Sequence, residues 1–293
     1  MKKILVLSLS LIIILSSCGK KAEESIPTEE NDTAQNSETT ETESNTEPEV
    51  QETTEAPTEA PTEPEPTDPA PVAPVFNENG HTPAPVMYHL IMEEPFNNYT
   101  ALFVRPGDFS EELDLLNEAG YTYLFADEFA KTENLSVVLT FDDGYEDNYT
   151  TMFPILKEHG AKATIFLVTD LLDTDGYLTT AQVKEMAASG YVHFGSHTVS
   201  HCDLAKQSDE VVDNQFSESK RIIESITGMP CDSMAYPAGS NSASVREIAS
   251  KYFKFAYTTK SPNSVKEYTD MNIPRHYGAR TVVGKAFMNL IAE

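Results

Sequence analysis

The sequence predicts an α/β fold built on one largely parallel sheet, either barrel-like or doubly wound, and three observations carry that expectation. From Pro85 onward, short β-branched or aromatic runs alternate with amphipathic segments, the pattern of repeated βαβ units. The units are of similar length, as in a single repeating sheet. The 213 residues after residue 80 suffice for one sizeable core.

Taken in order, Val137–Phe141 reads as a buried strand that meets its loop at Asp142-Asp143-Gly144. A helix follows from Asn148 to His159, with Phe153, Ile155 and Leu156 as its apolar face and Gly160 as its stop. Ala163–Val168 is the next strand. Thr180 is expected to cap a helix over 181–189 that stops at Gly190, ahead of a strand from Tyr191 to Gly195. Asp209–Thr227 has helical periodicity in Val212, Phe216, Ile222, Ile223 and Ile226, ended by Gly228 and Pro230. A strand at Ser233–Tyr236, a helix over 244–251 and a strand at Phe255–Thr258 complete the series. In both architectures, active sites gather at the carboxyl ends of the strands.

The amino terminus is of a different kind. Met1-Lys2-Lys3, an apolar run from Ile4 to Leu15 and Ser16-Ser17-Cys18-Gly19 form an export signal over residues 1–17, too short to span a bilayer. Leu15-Ser16-Ser17-Cys18 resembles a bacterial lipobox, which implies cleavage before Cys18 and acylation of its thiol. The chain is then expected on the outer face of the cytoplasmic membrane, facing the cell wall or extracellular space. Cys202 and Cys231 are the remaining thiols, so a disulfide framework is excluded, while one bridge between them stays open.

Residues 18–80 are rich in Glu, Thr and Pro; residues 21–80 hold 17 acids and one lysine with almost no aliphatic run. Such a segment cannot repay the entropy of ordering and reads as a disordered stalk, about 45 Å long as a coil and up to about 190 Å in polyproline II. The formal charge is −27, of which residues 81–293, the expected folded domain, carry −14. An acidic surface repels nucleic acid and anionic polymers, leaving a neutral or cationic glycan as the better partner. Nothing suggests more than a monomer.

Asp142 and Asp143 stand where a buried strand meets its loop, a position that suits acid–base or metal chemistry, although Asp-Gly after an apolar run is also ordinary turn sequence. His197 and His201, four apart just after a strand, would share one face of a helical turn. Two imidazoles and one carboxylate leave coordination positions open for water, as a hydrolytic zinc site requires; a pair of structural histidines has the same spacing.

Thr140-Phe141-Asp142-Asp143-Gly144, Ser196-His197-Thr198-Val199-Ser200-His201 and Ala235-Tyr236-Pro237-Ala238-Gly239 resemble, in order, three motifs of the carbohydrate esterase family 4 (NodB-like) polysaccharide deacetylases, over roughly residues 84–291. The resemblance implies a distorted (β/α) barrel and one divalent metal ion, zinc with cobalt or nickel as alternatives. It implies Asp142 as base, Asp143, His197 and His201 as ligands, and Tyr236-Pro237 as the substrate and oxyanion segment. Two features depart from the family. Its usual arginine, two residues before the motif proline, is Ala235 here, and the usual carboxy-terminal Leu-x-His is missing.

Pro85-Val86-Met87-Tyr88-His89 instead resembles the branch acting on poly-β-1,6-N-acetylglucosamine, in which an amino-terminal Tyr-His supplies the acid; this assigns the acid to His89, with His276 as second candidate. In Ile273-Pro274-Arg275-His276, Arg275 can replace the absent motif arginine by orienting Asp142, or form a surface ion pair. His159 is read as a helix-end cation, His193 as structural, and Cys202 is left out of the site. The resulting expectation is hydrolysis of N-acetyl groups on N-acetylglucosamine units. The alternatives are a peptidoglycan or chitooligosaccharide N-deacetylase, a catalytically impaired glycan-binding lipoprotein and, more remotely, a non-haem iron oxygenase.

Overall fold

In a computed structural model of the chain, residues 76–94, 102–264 and 269–292 are described. The export signal, Cys18 and the stalk up to residue 75 lie outside them. A strand at Phe76–His81 precedes the expected domain start and bridges to Thr132.

Eight strands form one parallel sheet: β1 (Ala84–Tyr88), β2 (Thr122–Tyr123), β3 (Ser136–Asp143), β4 (Ala163–Leu167), β5 (Val192–Ser196), β6 (Ser233–Ala235), β7 (Phe255–Tyr257) and β8 (His276–Tyr277). The order is β7-β6-β5-β4-β3-β1-β8, with β2 also pairing β3. Six helices accompany it: α1 (Pro106–Glu118), α2 (Phe153–His159), α3 (Thr180–Ala188), α4 (Asp209–Thr227), α5 (Ala243–Ala249) and α6 (Lys285–Ile291). None among the described residues is long and apolar enough to cross a membrane.

The sheet is apolar on both faces, which is why β1 and β4 are buried along their whole length. Val86, Leu139, Ile165, Val192 and Met234 join the larger cluster, together with residues of the helices, while Leu124, Val138, Phe166, Ala235, Tyr257 and Ile273 form a second cluster on the concave face. The segment from Ile273 to Tyr277 brings the two ends of the sheet together. Ile273 bridges to Tyr257 on β7, and three residues later β8 pairs with β1 through His276↔Val86 and Tyr277↔Met87. The result is the distorted barrel.

Local chemistry sets the element ends. Gly160 (φ 64°) and Gly228 (φ 69°) close α2 and α4 in the left-handed conformation. Thr179, not Thr180, caps α3. Gln182 three residues on completes a reciprocal box with it, while Thr180 donates through its amide and hydroxyl to Asp173. The expected helix over 148–159 is split into a π-turn, Asn148–Met152, and α2. Pro154 has no N–H to close an α-helical bond there, which suits the wider turn. Cys202 and Cys231 are separate buried thiols.

Glu112 lies wholly inside the core. Glu112 of α1 accepts a hydrogen bond from the Tyr88 hydroxyl at 2.8 Å, and the Tyr88 ring packs on Phe109 and Phe141. Burial pushes the Glu112 carboxyl from 4.5 up to about 8. Between those values the folded chain keeps a proton that the unfolded chain releases, so this residue's contribution to stability declines as pH rises through that window. Glu112→Gln is therefore expected to gain several degrees in melting temperature over wild type as pH rises from about 5 to about 8. A difference that stays flat across that range would reject a buried neutral carboxyl.

Candidate metal centre

The end of β3 and the loops after β5 and β6 converge at the carboxyl edge of the sheet. Oδ1 of Asp143 lies 3.5 Å from Nε2 of His197 and 3.5 Å from Nε2 of His201. These separations exceed normal hydrogen bonds. They match instead the edge of a coordination tetrahedron, since ligands about 2.0–2.2 Å from a zinc-sized ion stand about 3.4 Å apart. Among the described residues, this is the one trio of His, Cys, Asp or Glu whose ligand atoms all lie within 4.8 Å of one another. Nδ1 of His197 sits 2.8 Å from the Ala235 carbonyl, to which only an N–H can bond, so the Nε2 lone pair faces Asp143. Burial pushes His197 down to about 4 against the pull of Asp142, which keeps the ring neutral and able to ligate. These residues fit a divalent ion.

The two histidines do not share a helical face, as their spacing led one to expect. His197 follows β5, and the chain to His201 is an irregular loop with Thr198 at φ 72° and His201 at φ 54°. Its amides are held by side chains: Val199 and Ser200 donate to Oε1 of Gln215, Thr198 to Oγ of Ser196, and His201 to Oγ1 of Thr198. Asp143 is also left-handed, at φ 74°. Non-glycine residues in that region are strained, and three of the five in the described chain belong to this site.

Asp142 is buried beside the trio, in a bidentate pair with Arg275: NH1 to Oδ1 and NH2 to Oδ2, both at 2.7 Å. Arg275 also donates to Oγ1 of Thr140 at 3.0 Å and, through Nε, to the Thr258 carbonyl at 3.1 Å. The pair is fully enclosed, not the surface contact that was its other reading. Burial alone would raise the Asp142 carboxyl. The charge of Arg275 and its two hydrogen bonds outweigh it and hold the group well below the usual carboxylate range.

His89, half-buried just past β1, lies on the Asp142 side of the site. His276 does not. It pairs with Val86 on the helix-packed face, while alternation places Thr140, Asp142 and Tyr277 on the other, so His276 is withdrawn as an acid candidate. The Tyr236 amide donates to the Tyr257 carbonyl and its hydroxyl to the Met271 carbonyl, and Pro237 has no N–H. The Tyr236 amide is thus engaged with β7 and Pro237 has none to offer. His193, expected to be structural, stacks on Phe125 and contacts Asp127.

Tyr145, Tyr177 and Tyr277 were not singled out from sequence. Tyr145 bonds the Asp143 carboxylate and stacks on Tyr177 with ring centroids 5.1 Å apart, while Tyr277, 36% exposed, feels the charge of Asp142. For Tyr145 and Tyr277 the signal available was an aromatic residue directly after Thr140–Gly144 and after Ile273–His276. Gln215 and Ser219, polar residues on the buried stripe of α4, were a clearer one.

Residues 130–254 match the model of the polysaccharide deacetylase family; His89 and Arg275 fall outside that span. The Bacillus subtilis protein YxkH is 29% identical over 177 residues, 58% of this chain and 63% of its own length, so the chain spans less than two thirds of that relative. A Bacillus cereus peptidoglycan-N-acetylglucosamine deacetylase is 35% identical over 109 residues, 37% of either chain. A Staphylococcus epidermidis poly-β-1,6-N-acetyl-D-glucosamine N-deacetylase is 24% identical over 70% of this chain and 81% of its own. The crystal structure of BC0361, a polysaccharide deacetylase from Bacillus cereus, superposes with a TM-score of 0.66 at 29% identity over 72% of this chain and 69% of that one. The fold is the curled half-barrel of the NodB-like deacetylases.

Two outcomes follow from the geometry. Calorimetric titration should find one divalent ion per chain, lost in His197→Ala and retained in Asp142→Asn. Arg275→Met, which leaves Asp142 buried and unpaired, should cost about 3–5 kcal/mol in urea unfolding. Arg275→Met combined with Asp142→Leu should recover much of it; a double variant as unstable as the sum of the singles would refute the coupling.

Proposed function

We infer that this chain is a metal-dependent N-deacetylase of N-acetylglucosamine polysaccharides. The observation that carries the reading is the buried Arg275–Asp142 pair beside the Asp143, His197 and His201 trio. A binding protein gains nothing from a carboxylate held ionised next to three convergent ligands, and an iron oxygenase has no need of Asp142. The arginine missing at Ala235 is supplied from the far end of the domain.

A divalent ion held by the trio, zinc in our reading, would supply Lewis-acid polarisation of the acetyl carbonyl and acidify a water. The protein's own groups do the rest. Asp142, fixed through both oxygens by Arg275, takes the proton of the attacking water. His89 gives a proton to the departing sugar nitrogen, which leaves poorly as an anion. The C–N bond breaks, and acetate and a free amine are released.

The substrate we favour is poly-β-1,6-N-acetylglucosamine, supported by His89 at the start of the domain and by the length of the match to the Staphylococcus epidermidis relative. Peptidoglycan is the second reading, supported by the more identical but shorter Bacillus cereus match. We place the protein, as a monomer, on the outer face of the cytoplasmic membrane through acylated Cys18, with the stalk as spacer.

Acetate released from purified β-1,6-linked polymer and from isolated cell wall tests both levels. The polymer should be turned over, chelation should abolish turnover, and Asp142→Asn or His89→Ala should lower kcat by about 100-fold or more. Release from cell wall alone would replace the first substrate by the second. Release from neither would overturn the enzyme reading.

A further inference from the structure

We propose that Asp147 and Asn148 are positioning residues that fix His89 relative to the metal ligands; the proposal rests on the assignment of His89 as the acid. The pairing of β1 with β3 ends at Tyr88↔Phe141, one residue before His89. Beyond it, Leu90–Ile91 leaves the main sheet and, among the described residues, pairs only with Phe103–Val104. The main-chain ladder therefore stops short of the acid. Two side chains from the π-turn take over. Nδ2 of Asn148 donates to the His89 carbonyl at 2.9 Å, and Oδ2 of Asp147 accepts from the Ile91 amide. They bracket His89, gripping its own carbonyl and the amide two residues on.

Both residues give up something local to do this. Asp147 holds the N-cap position of its turn, where a carboxylate ordinarily accepts from its own helix, yet it makes no side-chain cap bond. Asn148 is wholly buried, and its Oδ1 has no hydrogen-bond partner among the described residues. A leucine of similar size would fill that space without burying a lone amide oxygen. What an asparagine adds is the donor to His89, together with a side-chain hydrogen bond to Asp147, its partner in the bracket. The tie is also short in sequence: Asp147 and Asn148 come four and five residues after Asp143 and leave β3 on the same loop. A shift of the ligand loop is thereby shared with the acid, and the separation between proton donor and scissile nitrogen stays fixed. Displacements of about 1 Å at such a distance cost on the order of 100-fold in rate.

The test is a double-mutant cycle on acetate release from whichever polymer the wild-type chain turns over. Asn148→Leu deletes the donor while keeping the volume, and Asn148→Ala is the second variant should the first fold poorly. Either is expected to lower kcat 10- to 100-fold with KM within threefold and metal content unchanged. The pair with His89→Ala should be no slower than His89→Ala alone, within twofold. Losses that multiply in the double variant would mean that Asn148 does not act through His89 and would overturn the proposal, as would wild-type kcat in Asn148→Leu. Amide hydrogen exchange reads the tie without turnover. At Ile91 it should quicken at least tenfold in Asp147→Ala while Leu139 stays protected, and unchanged protection at Ile91 also overturns the proposal. A wild-type chain that releases no acetate while Ile91 responds as expected would sink the deacetylase reading and leave the tie standing.

Discussion

The enclosed pair between Arg275 and Asp142 is the constraint on which the rest depends. Two opposite charges removed from water are tolerable only if each finds the other in good geometry, and here both carboxylate oxygens are met by guanidinium nitrogens at 2.7 Å. The partners come from distant parts of the chain: Asp142 lies one residue before the end of the central strand β3, and Arg275 lies on the segment that closes the barrel. Closure and ionisation are one event. Until the last strand docks, the acid beside the metal trio has no counter-charge, and without the acid the closing segment would bury a lone guanidinium.

The trio is held on different terms. Its ligands differ in exposure, with His197 enclosed, Asp143 at 14% and His201 at 43%. One wall of the site is therefore rigid and the other open to solvent. The rigid wall is built by hydrogen bonds to His197 and the amides that follow it, and these come from α4 and β6. The backbone strain at Asp143, Thr198 and His201 is stabilised by that scaffold.

Much of this was legible in the residues alone. The buried strands ending at Asp143 and Ser196 and the long helix from Asp209 to Thr227 follow from apolar runs and their stops; the strand ends differ from expectation by one or two residues and the helix by none. The three motifs named the residues that converge. What could not be read is what depends on contacts distant in sequence. Arg275 looked equally like a surface ion pair, because nothing nearby says that its strand closes a barrel. The histidines looked helical because their spacing is, while the loop between them is shaped by Gln215, fourteen residues after His201. The wrong face for His276 has the same origin: alternation tells which residues share a side, but register with β1 tells which side is the site.

Gly195 carries a consequence for access. Any side chain there would collide with the Phe166 ring, which would lie 2.5 Å from its Cβ, and that ring also lies beneath the Arg275 guanidinium and beside Tyr257. The throat of the barrel is thus corked by aromatic carbon directly below the ligands. With that throat filled, the ligand atoms are reached from the rim alone, the side on which the His201 side chain is 43% exposed.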